Sequence, residues 1–177
     1  MRGGVAYASE NRCSVELWSL TAADRDVVRR LVDGLSAETL YRRFHRIVRP
    51  SDVDLSWLDR LAADGDLALV ASRHAGGDAL GLARAVRYDA SAEIAVTVAD
   101  AWQGRRIGTC LARRLADELT GRGVLWLSGV VAIDNRPAVA LMRGLGARAA
   151  GPVDWGAIEL RAPLPRAPVS RASPPRR

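Results

Sequence analysis

The chain of 177 residues contains no lysine, and all 26 of its basic residues are arginine. This absence excludes a Walker-type phosphate loop, a pyridoxal-phosphate Schiff base and a lysine nucleophile, because each of them depends on a lysine amine. An enzyme of this composition that modified lysine side chains could not modify its own.

Cysteine and histidine are also scarce. Cys13 and Cys110 are far apart and show no metal-ligand spacing, and His45 and His74 are the only histidines. We therefore expect reduced thiols, a cytoplasmic protein and no metal site. There is neither a targeting pattern at the N-terminus nor an apolar run of roughly 18 residues, so no membrane partner is expected.

The net charge of +6 comes mostly from one end of the chain. Residues 161–177 hold five arginines and no acid, which leaves 21 basic residues against 20 acidic ones in the rest. The Pro- and Arg-rich composition predicts a disordered tail at 162–177, and nucleic acid is an unlikely partner. A flexible N-terminus is expected at 1–13, and a single domain at 14–161.

Hydrophobic spacing predicts an α/β (α+β) fold, with a mixed sheet of about seven strands and four or five helices on its faces. The strands are expected at 14–20 on the sheet edge, 67–72, 79–88, 93–98 and 124–131, with two short closing strands within 147–161. The strand at 124–131 is apolar on both faces, which predicts cover on both sides. Helix starts are predicted at Thr21 to Asp24, Ser36 to Thr39, Pro50, about Arg105 and Asn135.

A glycine-containing turn joins the strand at 93–98 to the helix that follows. It consists of Gln103, Gly104, Arg105, Arg106, Ile107, Gly108 and Thr109. Small residues let the backbone approach a ligand, and the first helical turn exposes N–H groups that have no partner within the helix. The pattern predicts an anion site, and a phosphorylated cofactor would be its natural occupant.

The turn and the element order together resemble the GNAT superfamily of acetyl-CoA-dependent N-acetyltransferases. The resemblance implies that Gln103 through Thr109 bind the CoA pyrophosphate through backbone N–H groups. It also implies that Val96, Thr97 and Val98 pair with the pantetheine arm like an added strand. Arg106 stands where the family usually has glycine. A side chain there still leaves the backbone N–H available, so the predicted site is retained if Arg106 keeps a negative φ.

Two further segments resemble the bacterial protein-lysine acetyltransferases called Pat. They run from Leu35 to Phe44 (LSAETLYRRF) and from Ala92 to Val96 (AEIAV). In that group the glutamate of the second segment is the proposed general base, which implies this role for Glu93. A lysine amine of pKa near 10.4 is about 0.1% neutral at pH 7.4, so the reaction needs such a base. A glutamate that simply faces water is the alternative.

The last predicted helix agrees with the GNAT pattern at one position and departs from it at another. The resemblance implies that Asn135 contacts the pantetheine arm, although it could equally serve only as a helix cap. Met142 stands where many GNAT enzymes have a tyrosine general acid, so water or the amine's own proton would have to protonate the CoA thiolate.

The implied reaction is direct acetyl transfer from the CoA thioester to a primary amine in a ternary complex. The favoured acceptor is the lysine of a protein substrate such as an acyl-CoA synthetase. A small-molecule amine or amino acid is the first alternative, and a non-catalytic CoA-binding sensor is the second.

Overall fold

The computed structural model describes residues 6–7, 15–61, 65–74 and 76–165. Apart from residues 6 and 7, the predicted flexible N-terminus lies outside the described residues, and so does the predicted tail from residue 166 onward.

One mixed sheet of eight strands forms the centre of the domain, in the order β1-β2-β3-β4-β5-β6-β8-β7. Neighbouring strands are antiparallel except β5 and β6, which are parallel. The strands are β1 Ala6–Tyr7, β2 Glu16–Ser19, β3 Leu67–Ser72, β4 Gly81–Tyr88, β5 Ser91–Val98, β6 Trp126–Ala132, β7 Arg148–Ala149 and β8 Ala157–Pro163. The predicted fold class is confirmed, with one strand more than the seven expected.

Five α-helices lie on the two faces of this sheet. They are α1 Arg25–Asp33, α2 Ala37–Phe44, α3 Trp57–Arg60, α4 Ile107–Gly121 and α5 Arg136–Gly144. Thr21 begins a 3₁₀ turn at Ala22–Asp24 that leads into α1, and its N–H and Oγ1 donate to Asp24. Ser36 caps α2, because its Oγ accepts from the Thr39 N–H.

Each face of the sheet has its own apolar core. Helix α4 packs on β3, β4 and β5 through Ile107, Leu111, Leu115 and Leu119, all buried, and α5 extends this core over β6 and β8. Helices α1 to α3 cover β2 to β4 and part of β5 on the other face, where Leu58 and Val70 are buried. We call these the α4 face and the α1 face.

The α1 face remains uncovered over β6 and β8. Trp126 is 40% exposed and Val130 is 51% exposed, so the prediction that this strand is covered on both sides is wrong. The three N-terminal helices extend across β2 to β5 and do not cover β6, which leaves apolar side chains of β6 in contact with solvent.

Two element assignments differ from the sequence prediction. Strand β2 is not an edge strand, because Ala6–Tyr7 pairs with it on its outer side. The helix predicted to begin at Pro50 is instead a 3₁₀ turn at Pro50–Asp52 followed by the short α3. The Arg29 guanidinium donates to the carbonyls of Pro50 and Val53, and this fixes the extended link between the two pieces.

Two further findings concern cysteine and membranes. Cys110 takes part in a disulfide bond, so the expectation of a reduced thiol is wrong for this residue. Cys13 lies outside the described residues.

Among the helices of the described residues, none combines the length and the apolarity that crossing a membrane requires.

Candidate functional site

Strands β5 and β6 separate part-way along their length. Their parallel pairing covers Ser91 to Glu93 on β5 and ends at the pair of Glu93 with Ser128. Beyond this point the described part of β5, Ile94 to Val98, pairs with β4 alone, while β6 continues against β8. The β6-facing edge of β5 therefore offers backbone groups to an extended ligand, and it includes the predicted pantetheine residues Val96, Thr97 and Val98.

The glycine-containing turn lies between the end of β5 and the first turn of α4. Gly104 has φ +72° and Arg106, the N-cap of α4, has φ +63°. The condition of a negative φ at Arg106 is therefore not met: the arginine takes the left-handed conformation that glycine adopts without strain. The N–H groups at the start of α4 lack carbonyl partners one turn earlier in the helix and could hold an anion.

Gly108 allows the first turn of α4 to approach β5 closely. A Cβ at this position would lie 3.3 Å from Leu141 Cδ1, 3.5 Å from Val98 Cγ2 and 3.6 Å from Val96 Cγ1. The start of α4 is thus seated against both the exposed edge of β5 and helix α5.

A polar clamp ties the turn to the start of α2. Asp100 accepts hydrogen bonds from Ser36 N–H (3.0 Å), Ser36 Oγ (2.6 Å) and Thr39 Oγ1 (2.8 Å). Gln103 Nε2 donates to Thr39 Oγ1 (3.1 Å) and to the Val98 carbonyl (3.2 Å). Desolvation would raise the pKa of Asp100, but the bonds from Ser36 and Thr39 together outweigh it and hold this pKa below its usual range. Gln103 therefore positions the turn through its side chain.

Arg105 and Arg73 both stack on Trp102, just before the turn. Each guanidinium carbon lies 4.8 Å from the centre of the indole ring. Stacking holds two positive charges beside the predicted anion site while their N–H edges stay accessible.

Glu93 is exposed and stands where β5 and β6 separate. Ile94 and its alternating neighbours contribute to the core of the α4 face, whereas Ala95 and Thr97 line a cavity on the α1 face. Glu93 belongs to this second set, opposite Val86 on β4 and Ser128 on β6. Burial and the positive charge of Arg84 lower the pKa of Arg43, a residue of α2. The negative charge of Glu93 is close enough to oppose them in part.

Glu93 lies within what we call the open face, the uncovered part of the α1 face. Cross-strand pairing places on it Tyr88, Glu93, Trp126, Ser128, Val130, Glu159 and Arg161. Tyr88 is 58% exposed, and the Arg161 guanidinium stacks on Trp126 at 4.6 Å. The Glu93 carboxylate therefore shares this face with exposed aromatic and apolar side chains and with the charged Glu159 and Arg161.

A cavity of about 100 Å³ lies next to the open face, between the N-terminal helices and the sheet. Its lining includes Arg43, Phe44, Trp57, Arg84, Ala95 and Thr97.

The last helix shows Asn135 and Met142 in structural roles. Asn135 Oδ1 accepts from the Ala138 N–H at 3.3 Å and so caps α5, while its amide nitrogen is left for other contacts. Met142 is buried in the core, where its Cε would lie 3.3 Å from a Cβ added to Gly129. Within the described residues no group of three or more His, Cys, Asp or Glu side chains could hold a metal ion.

The sequence model of the Acetyltransferase (GNAT) family matches residues 35–147, which include β5, the turn and α4. The chain belongs to this family. The family assignment drawn from the sequence is thus confirmed.

Among its relatives, this GNAT protein is 36% identical over 115 residues to Acetyltransferase Pat of Mycolicibacterium smegmatis. The match covers 63% of the chain and 34% of Pat, so the chain spans about a third of the length of this curated relative.

Two solved structures share the fold. The GNAT domain of S. lividans Pat has a TM-score of 0.77 at 20% identity, covering 91% of this chain and 97% of that one. The Salmonella typhimurium protein yncA, solved with its cofactor acetyl-CoA, has a TM-score of 0.68 at 19% identity, covering 90% and 99%.

Several residues of this site were not predicted as functional. The Ser36 and Thr39 pattern was interpreted only as a helix start, although both side chains also bind Asp100. Arg43 belongs to the Pat-like segment, but its position near Glu93 depends on how α2 crosses the sheet. Trp102 gave no signal beyond its place before the turn.

Proposed function

We propose that this GNAT enzyme transfers the acetyl group of acetyl-CoA to the lysine side chain of a protein, with Glu93 as general base. The observation that carries the proposal is the position of Glu93 at the last paired residue of β5, where the gap from β6 begins. A thioester held along that gap would present its carbonyl close to this carboxylate.

Donor binding is assigned to backbone groups and to nearby positive charge. The pyrophosphate would lie against Gln103 to Thr109, and the pantetheine arm would pair with Val96, Thr97 and Val98. Arg73 and Arg105, both stacked on Trp102, supply positive charge near the phosphates. Each charge-assisted hydrogen bond there is worth roughly 1.5–3 kcal/mol.

The open face supports a macromolecular acceptor. The cavity beside it measures about 100 Å³, whereas pockets that enclose a drug-sized ligand measure roughly 300–1,000 Å³. Exposed Tyr88, Trp126 and Val130 instead provide the apolar and aromatic contacts typical of protein interfaces. The match to Acetyltransferase Pat is consistent with an acceptor of this class.

The chemistry requires one proton to leave the acceptor before the C–N bond forms. Glu93 takes a proton from the lysine ammonium, directly or through water, and the neutral amine attacks the thioester carbonyl. The tetrahedral adduct collapses as the C–S bond breaks, and CoA leaves as a thiolate. With Met142 in the place of a tyrosine acid, water or the attacking amine's second proton completes the thiol.

Release of free CoA from acetyl-CoA tests this function against its alternatives. We expect turnover with acyl-CoA synthetases as protein acceptors, and mass spectrometry should find acetyl groups on their lysines. Turnover with small amines or amino acids alone would overturn the protein acceptor. Tight binding of CoA without turnover on any acceptor would identify a sensor instead.

A further inference from the structure

Two stacked guanidinium groups line the cavity beside Glu93. Arg43 lies over the Phe44 ring at 5.0 Å and Arg84 lies over the Trp57 ring at 4.5 Å. All four side chains line the cavity. Stacking covers one flat side of each guanidinium and leaves its edge, which carries the N–H donors, free for a planar acceptor such as a carboxylate.

The nearby acids do not neutralise both charges. Asp66 pairs with Arg84 at 3.1 Å, although Arg84 Nε is buried and has no hydrogen-bond partner. Asp54, which also lines the cavity, accepts from Ser56 N–H and Oγ at 2.8 and 2.6 Å. Among the described residues, no hydrogen bond or ion pair joins the Arg43 guanidinium to an acid.

Arg43 therefore carries a half-buried charge that lacks a bonded anion. Burial lowers its pKa, the positive charge of Arg84 lowers it further, and Glu93 opposes both at a distance beyond hydrogen bonding. An unpaired charge is costly to bury, and an anion entering the cavity would remove this cost.

We propose that the cavity binds a carboxylate of the acceptor, supplied by an acidic side chain next to the lysine that is acetylated. This inference rests on the proposed function with a protein acceptor. Ala95 and Thr97 of the cavity lie two and four residues beyond Glu93 on the same face of β5, so a carboxylate at Arg43 leaves an adjacent lysine within reach of Glu93. Arg43 and Arg84 thereby determine acceptor specificity.

Paired peptides test the proposal by steady-state kinetics. One peptide has its lysine flanked by glutamate, and the other has glutamine at the same positions. We expect the wild-type enzyme to prefer the acidic peptide about tenfold or more in kcat/KM, mainly through KM, because one charge-assisted hydrogen bond is worth at least that factor. Arg43→Gln should lose this preference, and Arg43→Lys should keep part of it.

Arg42→Gln is the matched control, because Arg42 is exposed and pairs with Glu38 at 2.6 Å on the same helix. It should keep the full preference. Equal kcat/KM for the two peptides with the wild-type enzyme would overturn the proposal. A fall in kcat for Arg43→Gln that is equal on both peptides, with the preference intact, would also overturn it and assign Arg43 to positioning Glu93.

A binding measurement separates this inference from the proposed function. Calorimetry with norleucine in place of the lysine measures recognition of the acid without turnover, in the presence of CoA. If no peptide is acetylated but the acidic norleucine peptide still binds about tenfold tighter, the proposed function fails and the carboxylate site stands. If free glutamate is acetylated in preference to both peptides, the carboxylate belongs to a small acceptor and the protein source is wrong.

Discussion

The two faces of the sheet differ in what holds them together. The core of the α4 face is built from apolar side chains, among them Leu111 and Leu115, and the start of α4 packs so closely that a Cβ at Gly108 would lie 3.3 Å from Leu141 Cδ1. The α1 face contains the stacked Arg43 and Arg84, a cavity and an uncovered region over β6 and β8. The close-packed face suits a donor that does not vary, and the charged, open face suits recognition of a particular acceptor.

Replacing Glu93, the proposed base on the open face, should have the largest effect, and this effect should be on kcat. Glu93→Gln keeps the shape of the side chain but cannot take the proton, so we expect kcat to fall about 10²- to 10⁴-fold. CoA affinity, measured by calorimetry, should change little. Glu159→Gln is the matched control because Glu159 lies on the same open face, opposite Val130. Equal rates for Glu93→Gln and the wild type would remove Glu93 as the base.

Overpacking the donor side should have the next largest effect. Gly108→Val places methyl groups against Leu141, Val96 and Val98, which should cost about 1–3 kcal/mol of the free energy of unfolding. At about 2–4 °C per kcal/mol for a domain of this size, calorimetry should detect the fall in Tm. Gly121→Val is the control, because a Cβ at Gly121 meets nothing within 4 Å. Equal losses in the two variants would contradict the close approach of α4 to β5.

Removing hydrogen bonds of the polar clamp, which ties the glycine-containing turn to the start of α2, should have a smaller effect on stability. Ser36→Ala loses two hydrogen bonds of the Ser36 hydroxyl, one to Asp100 and one from the Thr39 N–H that caps α2, so we expect a loss of about 1 kcal/mol in the free energy of unfolding, measured by chemical denaturation. Ser51→Ala, whose hydroxyl bonds only the adjacent exposed Asp52, should change stability less.

The polar clamp also predicts that the folding stability of the protein depends on pH. The folded-state pKa of Asp100 is depressed, so its contribution is fully present above the unfolded pKa of about 3.9 and is lost as the pH falls through the lower folded value. The stability difference between the wild type and Asp100→Asn should therefore be constant near neutral pH and disappear in strong acid. A difference that persists there would assign the clamp to something other than the carboxylate.

The smallest expected change is a gain. Arg106→Gly removes the backbone strain of an arginine in the left-handed conformation, but glycine also raises the conformational entropy of the unfolded chain. We therefore expect the free energy of unfolding to rise by less than about 1 kcal/mol. Arg122→Gly, where φ is −96°, removes the same side chain without relieving strain and should destabilise the protein. If CoA raises the Tm of Arg106→Gly less than that of the wild type, the arginine charge also contributes to donor binding.

The donor side could be predicted from sequence because its signals are local. The turn is identified by its glycine spacing. Strand β5 and helix α4 are identified by the apolar patterns directly before and after it. The left-handed φ of Arg106 was missed, because a conformation imposed by the strand and helix on either side leaves no composition signal.

The acceptor side was less predictable because it depends on contacts distant in sequence. Arg43 and Arg84 are 41 positions apart, and Asp100 is 64 positions from Ser36. The exposure of Val130 could not be predicted either, since it depends on how far the N-terminal helices extend across the sheet.

Both ends of the sheet are two-residue strands, Ala6–Tyr7 and Arg148–Ala149. An outer strand this short offers few free backbone groups to the sheet of another molecule, and long unpaired edges are where β-proteins join into aggregates. The broad eight-stranded sheet is thus protected against intermolecular strand pairing at its margins, while the gap between β5 and β6 keeps its unpaired backbone in the interior of the sheet.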